Sequence, residues 1–148
     1  MRLGTSLEAG VTLTQLIAGA VGGGVNAAVL AKCRPEGRAP GLAICLGVAA
    51  GVYAGFGLVD GRTEQMVVQL TGTLAFVGLA IAKSRAVGIL GLCWLAHGVW
   101  DGLHELGLIR TLVPGWYPGA CLGWDVVLGV VALVWARGIR AGLTEDRA

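Results

Sequence analysis

The sequence predicts an all-α polytopic membrane protein, a single domain spanning 1–148 folded as a bundle of five transmembrane helices. Three observations predict it. Hydrophobic residues make up 55% of the 148 and charged ones only 14%, with mean hydropathy +0.76, well outside the soluble-globular balance. The apolar residues fall into five runs, each near the roughly 20 residues that cross a bilayer. The 26 glycines are spread through those runs with no Gly-X-Y period. That excludes collagen and low-complexity disorder and fits closely packed membrane helices.

The first run extends from Leu7 to Ala31. Small residues at Ala18 to Ala20 offer a cleavage region for a secretory leader. However, only Arg2 precedes the run, Glu8 opens it and Lys32 closes it. That is the reverse of a basic leader, so a retained helix is expected. The second run, Gly41 to Val59, starts after Pro40 and repeats glycine at Gly47, Gly51 and Gly55. The third runs from Met66 to Ala82, the fourth from Ala86 to Leu106 and the fifth from Gly119 to Ala136. Gly19 with Gly23, and Gly98 with Gly102, repeat the four-residue glycine step. Helix faces without side chains serve tight packing inside the bundle or a homodimer through glycine-rich faces.

Basic residues orient the chain. Lys32, Arg34, Arg38, Lys83, Arg85, Arg137, Arg140 and Arg147 fall in one set of connections and ends, and Arg2, Arg62 and Arg110 in the other. The richer set belongs in the cytoplasm, which puts the amino terminus outside and the carboxyl terminus inside a multi-pass protein of the cell (plasma) membrane. With a net charge of only +2 and its cations confined to connections, the chain presents no basic face for nucleic acid. Cys33, Cys45, Cys93 and Cys121 show no CxxC or zinc-finger spacing, and no structural disulfide is expected.

The stretch Cys93-Trp-Leu-Ala-His-Gly-Val-Trp-Asp-Gly-Leu-His-Glu105 interrupts the fourth run with polar chemistry. Steps of four and three place His97, Asp101 and His104 on one helix face, with Trp94 and Glu105 on one flank and Trp100 on the other. At 1.5 Å per residue they climb from about 16 Å to about 27 Å above the inner end. Other runs add polar residues in the same outer half: Thr12, Thr14 and Gln15, then Tyr53, then Gln65, Gln69, Thr71 and Thr73, then Asp125. Their company suggests a cavity open to the outer side, with Tyr53, Gln69, Trp94, Trp100, Trp116 and Tyr117 among its lining residues.

Three readings of this ladder stand side by side. Imidazole and carboxylate suit a divalent metal such as zinc, so His97, Asp101, His104 and Asp125 are candidate ligands, and Asp101, Glu105 and Asp125 candidate catalytic carboxylates. His97 to His104 spans about 10 Å of rise, too far for one ion. A pair from the fourth run plus Asp125 is the better geometry. Alternatively, the same residues lock helices together, with His97 bonding a carbonyl or Asp125 and Asp101 bonding Gln69 or Tyr53. As a third possibility they relay protons or cations, although five runs cannot make two equal inverted halves and two copies would be needed. After the fourth run, Pro114 and Pro118 exclude regular helix between Gly107 and Pro118. Trp116, Tyr117 and Trp124 suit an interfacial belt or a lid over the cavity.

The pattern His97-Gly-x-Trp100-Asp101-x-x-His104, a loop with Pro, Trp and Tyr, and then a Cys and an Asp opening the last helix resembles a small family of bacterial and fungal integral membrane proteins. The resemblance covers residues 86 to 130 and, more loosely, the glycine-rich second run. In that family a second His follows the last of the motif, where this chain has Glu105, and Cys and Asp are adjacent, where Cys121 and Asp125 stand apart. The resemblance implies membrane placement and a site in this stretch, with no reaction attached. From the residues, the functional expectation is a metal-assisted hydrolase of a lipid-like substrate. The alternatives are a small proton- or cation-coupled transporter and a non-catalytic membrane scaffold.

Overall fold

The computed structural model describes residues 12–145, with side chains to residue 139, and it is all-α throughout that range. Five helices follow in order: α1 (Leu13–Ala31), α2 (Pro35–Asp60), α3 (Thr63–Ala82), α4 (Val87–Glu105) and α5 (Tyr117–Glu145). Four of them are long and apolar enough to cross a membrane: α1, α2, α3 and the Tyr117–Ile139 part of α5. α4 has the 19 residues of α1, but its His97, Asp101, His104 and Glu105 make it less apolar. By length and composition alone, four of the five described helices therefore qualify as spans.

Several boundaries move outward from the sequence expectation. α2 begins at Pro35 and continues through Pro40 instead of starting after it. Pro35 sits in the first turn, where its missing N–H has no helical partner to lose. Pro40 forfeits one bond, to the exposed and solvated Glu36 end of the helix. α5 likewise takes in Tyr117 and Pro118, because a proline in the first turn lacks only a donor that the helix leaves unpaired anyway. At 29 residues, α5 is about 43 Å long and outreaches a roughly 30 Å hydrocarbon core. Thr12 and Gln15 form a capping box that starts α1: Gln15 Oε1 accepts from the Thr12 amide at 2.9 Å and Thr12 Oγ1 from the Gln15 amide at 3.3 Å. They serve the helix end rather than a cavity. Leu7 to Val11, Arg2, Glu8 and Arg147 lie outside the described residues.

The bundle is apolar on the outside as well as the inside. On α1, Ile17, Val21, Val25 and Val29 recur every four residues and are all more than half exposed, a face that water would not tolerate at this extent. α5 is the central helix, flanked along its length by α1 and α4, while α2 and α3 pair as a hairpin. The core runs through Leu30, Leu42, Leu46, Leu90, Trp94 and Leu128. Two side chains also bond neighbouring backbones, Thr73 Oγ1 to Ala50 O at 2.7 Å and Trp94 Nε1 to Leu42 O at 3.3 Å.

Glycine sets the contacts of α5. A Cβ on Gly19 would lie 1.7 Å from Ala120 O, one on Gly23 2.7 Å from Trp124 O, and one on Gly123 2.3 Å from Leu16 O. Gly91 and Gly129 make the same backbone approach between α4 and α5. The repeat on α2 behaves differently. Gly51 and Gly55 meet nothing within 4 Å, and Gly47 meets only Val77 Cγ2 at 4.0 Å. Among the described residues, that face touches α3 only at Gly47 and is open at Gly51 and Gly55. Gly102 is also open, whereas Gly98 sits 3.3 Å, by its built Cβ, from Asp125 Cβ.

Gly61 (φ 75°) ends α2 and Gly107 (φ 67°) follows α4, the left-handed stops that favour glycine. The connection beyond Gly107 is tied to the α2–α3 turn. Arg62 donates to both Asp60 oxygens at 2.6 and 2.8 Å, Asp60 Oδ2 accepts from the Leu112 amide at 2.7 Å, and Arg62 Nη2 donates to Arg110 O. The Asp60 carboxylate holds the Arg62 guanidinium above its usual range. This clamp was not anticipated; an Asp-x-Arg turn opposite a long connection was its only sequence trace.

Candidate functional site

Three of the expected residues converge. His97 and Asp101 are one turn apart on α4, and Gly98 beside them lets α5 bring Asp125 in from the side. His97 Nδ1 lies 2.6 Å from Asp125 Oδ2 and 3.8 Å from Asp101 Oδ2. One ligand atom from each of the three falls within 4.8 Å of the others, the separation of groups able to hold a metal ion. All three are at most 2% exposed. Tyr53 of α2 donates to Asp101 Oδ1 at 2.6 Å and fixes that carboxylate from above. Phe76 and Trp94 box the imidazole, with ring centroids 4.8 and 6.4 Å away.

The electrostatics of this cluster are unusual. Among the described residues, two buried carboxylates and one imidazole meet here with no lysine or arginine beside them. Buried carboxylates are tolerated only when a proton or cation offsets them. Two polar atoms in the cluster have no hydrogen-bond partner, Asp101 Oδ2 and His97 Nε2. Asp101 Oδ2 points into the space shared with His97 Nδ1. A proton shared between the two carboxylates, or a cation, would satisfy such an atom.

His104, expected as a further ligand, is used elsewhere. Its Nδ1 faces Trp100 O at 3.0 Å, and since a carbonyl only accepts, the proton is on Nδ1. Nε2 then accepts from Gln69 Nε2 at 2.7 Å. Gln69 also donates to Thr111 Oγ1 at 2.5 Å, and Thr111 to Gln65 Oε1 at 3.0 Å. With both nitrogens bonded, His104 has no lone pair for a metal; it joins α4 to α3 and stacks on Tyr53 at 4.4 Å. His104→Ala is expected to cost the fold about 1–3 kcal/mol by stranding Gln69. Metal content should be unchanged, as read by thermal denaturation and elemental analysis. Glu105 lies outside the three-residue group, and its buried Oε1 finds no partner.

The cavity also differs from expectation. Thr12, Thr14 and Thr71 are exposed, and Gln65, Gln69 and Thr73 bond other protein groups, so these polar residues line no open outer cavity. In apolar surroundings polar side chains satisfy one another first. A cavity of about 550 Å³ lies instead between α1, α2 and α5. Of the lining residues named from sequence, Trp94, Trp116 and Tyr117 line it. Tyr53 and Gln69 are buried in the hydrogen-bond network, and Trp100 fills the notch at Gly72 of α3. Asp125 belongs to both the cluster and the cavity wall.

Cys121, one turn before Asp125, and Cys45 also line the cavity and had no role from spacing. Only their position in apolar helices hinted at it. Cys45 exchanges weak bonds with Asn26 at 3.7 and 4.0 Å. All four cysteines are free thiols.

In comparisons with known proteins, no family model, no curated protein and no solved structure matches this chain.

Proposed function

We propose that this protein is a five-span membrane protein of the cell membrane, amino terminus outside, that binds a zinc-class divalent cation and hydrolyses a lipid-like substrate. His97, Asp101 and Asp125 are the ligands. Three protein ligands leave a fourth position for water, the arrangement of catalytic rather than structural zinc. A cation held by these residues would supply an activated water at neutral pH. Tyr53 orients Asp101 as an outer-shell donor. The fifth span is α4, whose polar face is turned inward against α2, α3 and α5, so that its neighbours rather than lipid meet the charges.

The observation that carries this reading is the convergence of three buried ligand atoms within 4.8 Å, one of them on the wall of an apolar cavity. Elemental analysis of detergent-purified protein is the test. About one equivalent of zinc is expected in the wild type, lost in His97→Ala and Asp101→Ala and kept in His104→Ala. Affinity should fall toward acid pH, because a proton competes with the cation for His97. Well-folded wild type without metal at any pH sinks the reading. In that event cation- or proton-coupled transport, favoured by the run of hydrogen-bonded groups Tyr53–Asp101 and His97–Asp125, would be tested by pH-driven flux in vesicles.

A further inference from the structure

The cavity is open on one side, and its walls say to what. Ile44, Val48 and Val52 line it at four-residue steps on α2 and are 67%, 64% and 36% exposed. Opposite them stand Ala18 and Gly19 of α1, with Cys121, Trp124 and Asp125 of α5 between. The opening is therefore lateral, between α1 and α2, and its lips are the apolar outer face of the bundle. We infer that the cleft admits one alkyl chain of an amphiphile from the bilayer, with an uncharged ester or amide head beside Asp125. This rests on the hydrolytic reading above and names the substrate class of that site.

Size, length and charge all bear on this. A cavity of ~150 Å³ takes one benzene, so 550 Å³ takes roughly 20 carbon-sized atoms. That suits one long chain and falls short of a two-chain lipid. From Ile44 to Val52 the cleft runs about 12 Å along the helix, close to the depth of one leaflet of a roughly 30 Å core. A chain can therefore lie in it parallel to its neighbours in the bilayer. Asn26 and Cys45, near one end, are bonded to each other. Asp125 and Cys121, with the neighbouring Tyr117, offer polar contacts for a head.

Among the described residues no lysine or arginine lines the cleft. Two carboxylates with one divalent cation sum to no net charge, so an anionic phosphate head would have no surplus positive charge to meet. A neutral acyl head fits this balance. In the reaction, the oxygen of water bonds to the acyl carbon and the C–O or C–N bond breaks. The departing oxygen or nitrogen takes a proton from that water. The chain leaves as a carboxylic acid.

The test is photolabelling of the full chain in vesicles with a single-chain fatty amide carrying a terminal diazirine. Labels are expected on α2 between Ile44 and Val52 and on α1 at Ala18. An unlabelled single-chain amide should compete, and a two-chain phosphatidylcholine should not. Val48→Trp and Ala18→Trp, each at the lip of the cleft, should cut labelling about tenfold with zinc content and thermal stability unchanged. Labels spread evenly over exposed positions of α3 such as Val67 and Leu74, or indifferent to both tryptophans, would overturn the inference. So would zinc-loaded protein with no label in the cleft, which leaves the metal reading standing. Cleft labelling in a wild type that binds no zinc has the opposite meaning: the chain site stands and the hydrolytic reading falls.

Discussion

Truncating Asp125 to alanine is expected to abolish zinc binding and to lower stability by about 3 kcal/mol or more. The carboxylate is 2% exposed and, among the described residues, is the hydrogen-bond partner of the His97 ring, at 2.6 Å. Without it a buried imidazole is left with neither nitrogen bonded, since His97 Nε2 is already unpartnered. A small cavity also opens where the Asp125 carboxyl group now lies beside Gly98, while the Cβ contact itself is kept. Asp125→Asn separates the two effects: its amide oxygen can still accept from His97, so most stability should return while the cation, deprived of an anionic ligand, does not. Thermal denaturation in detergent and metal analysis on the same preparations measure both. An alanine variant as stable and as zinc-loaded as the wild type would contradict the assigned role.

Gly19→Leu should be still more disruptive to the fold, for a reason unrelated to the site. The added Cβ would fall 1.7 Å from the Ala120 carbonyl oxygen, and a backbone oxygen inside a helix cannot rotate away as a side chain can. The helices must separate along the α1–α5 seam, where a Cβ on Gly23 or Gly123 would also approach a backbone oxygen, at 2.7 and 2.3 Å. Overpacking a tight core costs about 1–3 kcal/mol when side chains can adjust, and here they cannot, so about 3 kcal/mol is the lower bound. Gly51→Leu is the matched control. That residue is exposed, with nothing within 4 Å, and the change should stay within about 0.5 kcal/mol. Unfolding midpoints in one detergent compare the pair, and equal losses at both positions would refute the argument.

Much of the architecture was legible because its signals are local. Helical character, the number of helices and their order follow from runs of apolar residues, which report burial in lipid without reference to any neighbour. His97 and Asp101 were readable as a pair because i,i+4 spacing on a helix fixes their common face. Asp125 stood out because a carboxylate in an apolar run needs a partner. The rest depended on which helices touch. His104 shares the face of His97 and Asp101 by spacing, yet Gln69 and the Trp100 carbonyl take both its nitrogens. Tyr53 was one of two partners weighed for Asp101; the α2–α4 contact chose it over Gln69.

Glycine shows the limit most plainly. The repeats at Gly19/Gly23 and at Gly47/Gly51/Gly55 look alike in sequence, and only the first is packed. A small residue is equally comfortable against lipid and against a helix, so its type carries no information about which it faces. Because α1 closes on α5 through its glycines instead of on α2, a lateral cleft opens between α1 and α2. Two members of the cluster are thus written along α4, while the arrival of Asp125 and access from the bilayer are decided by how α1, α2 and α5 pack.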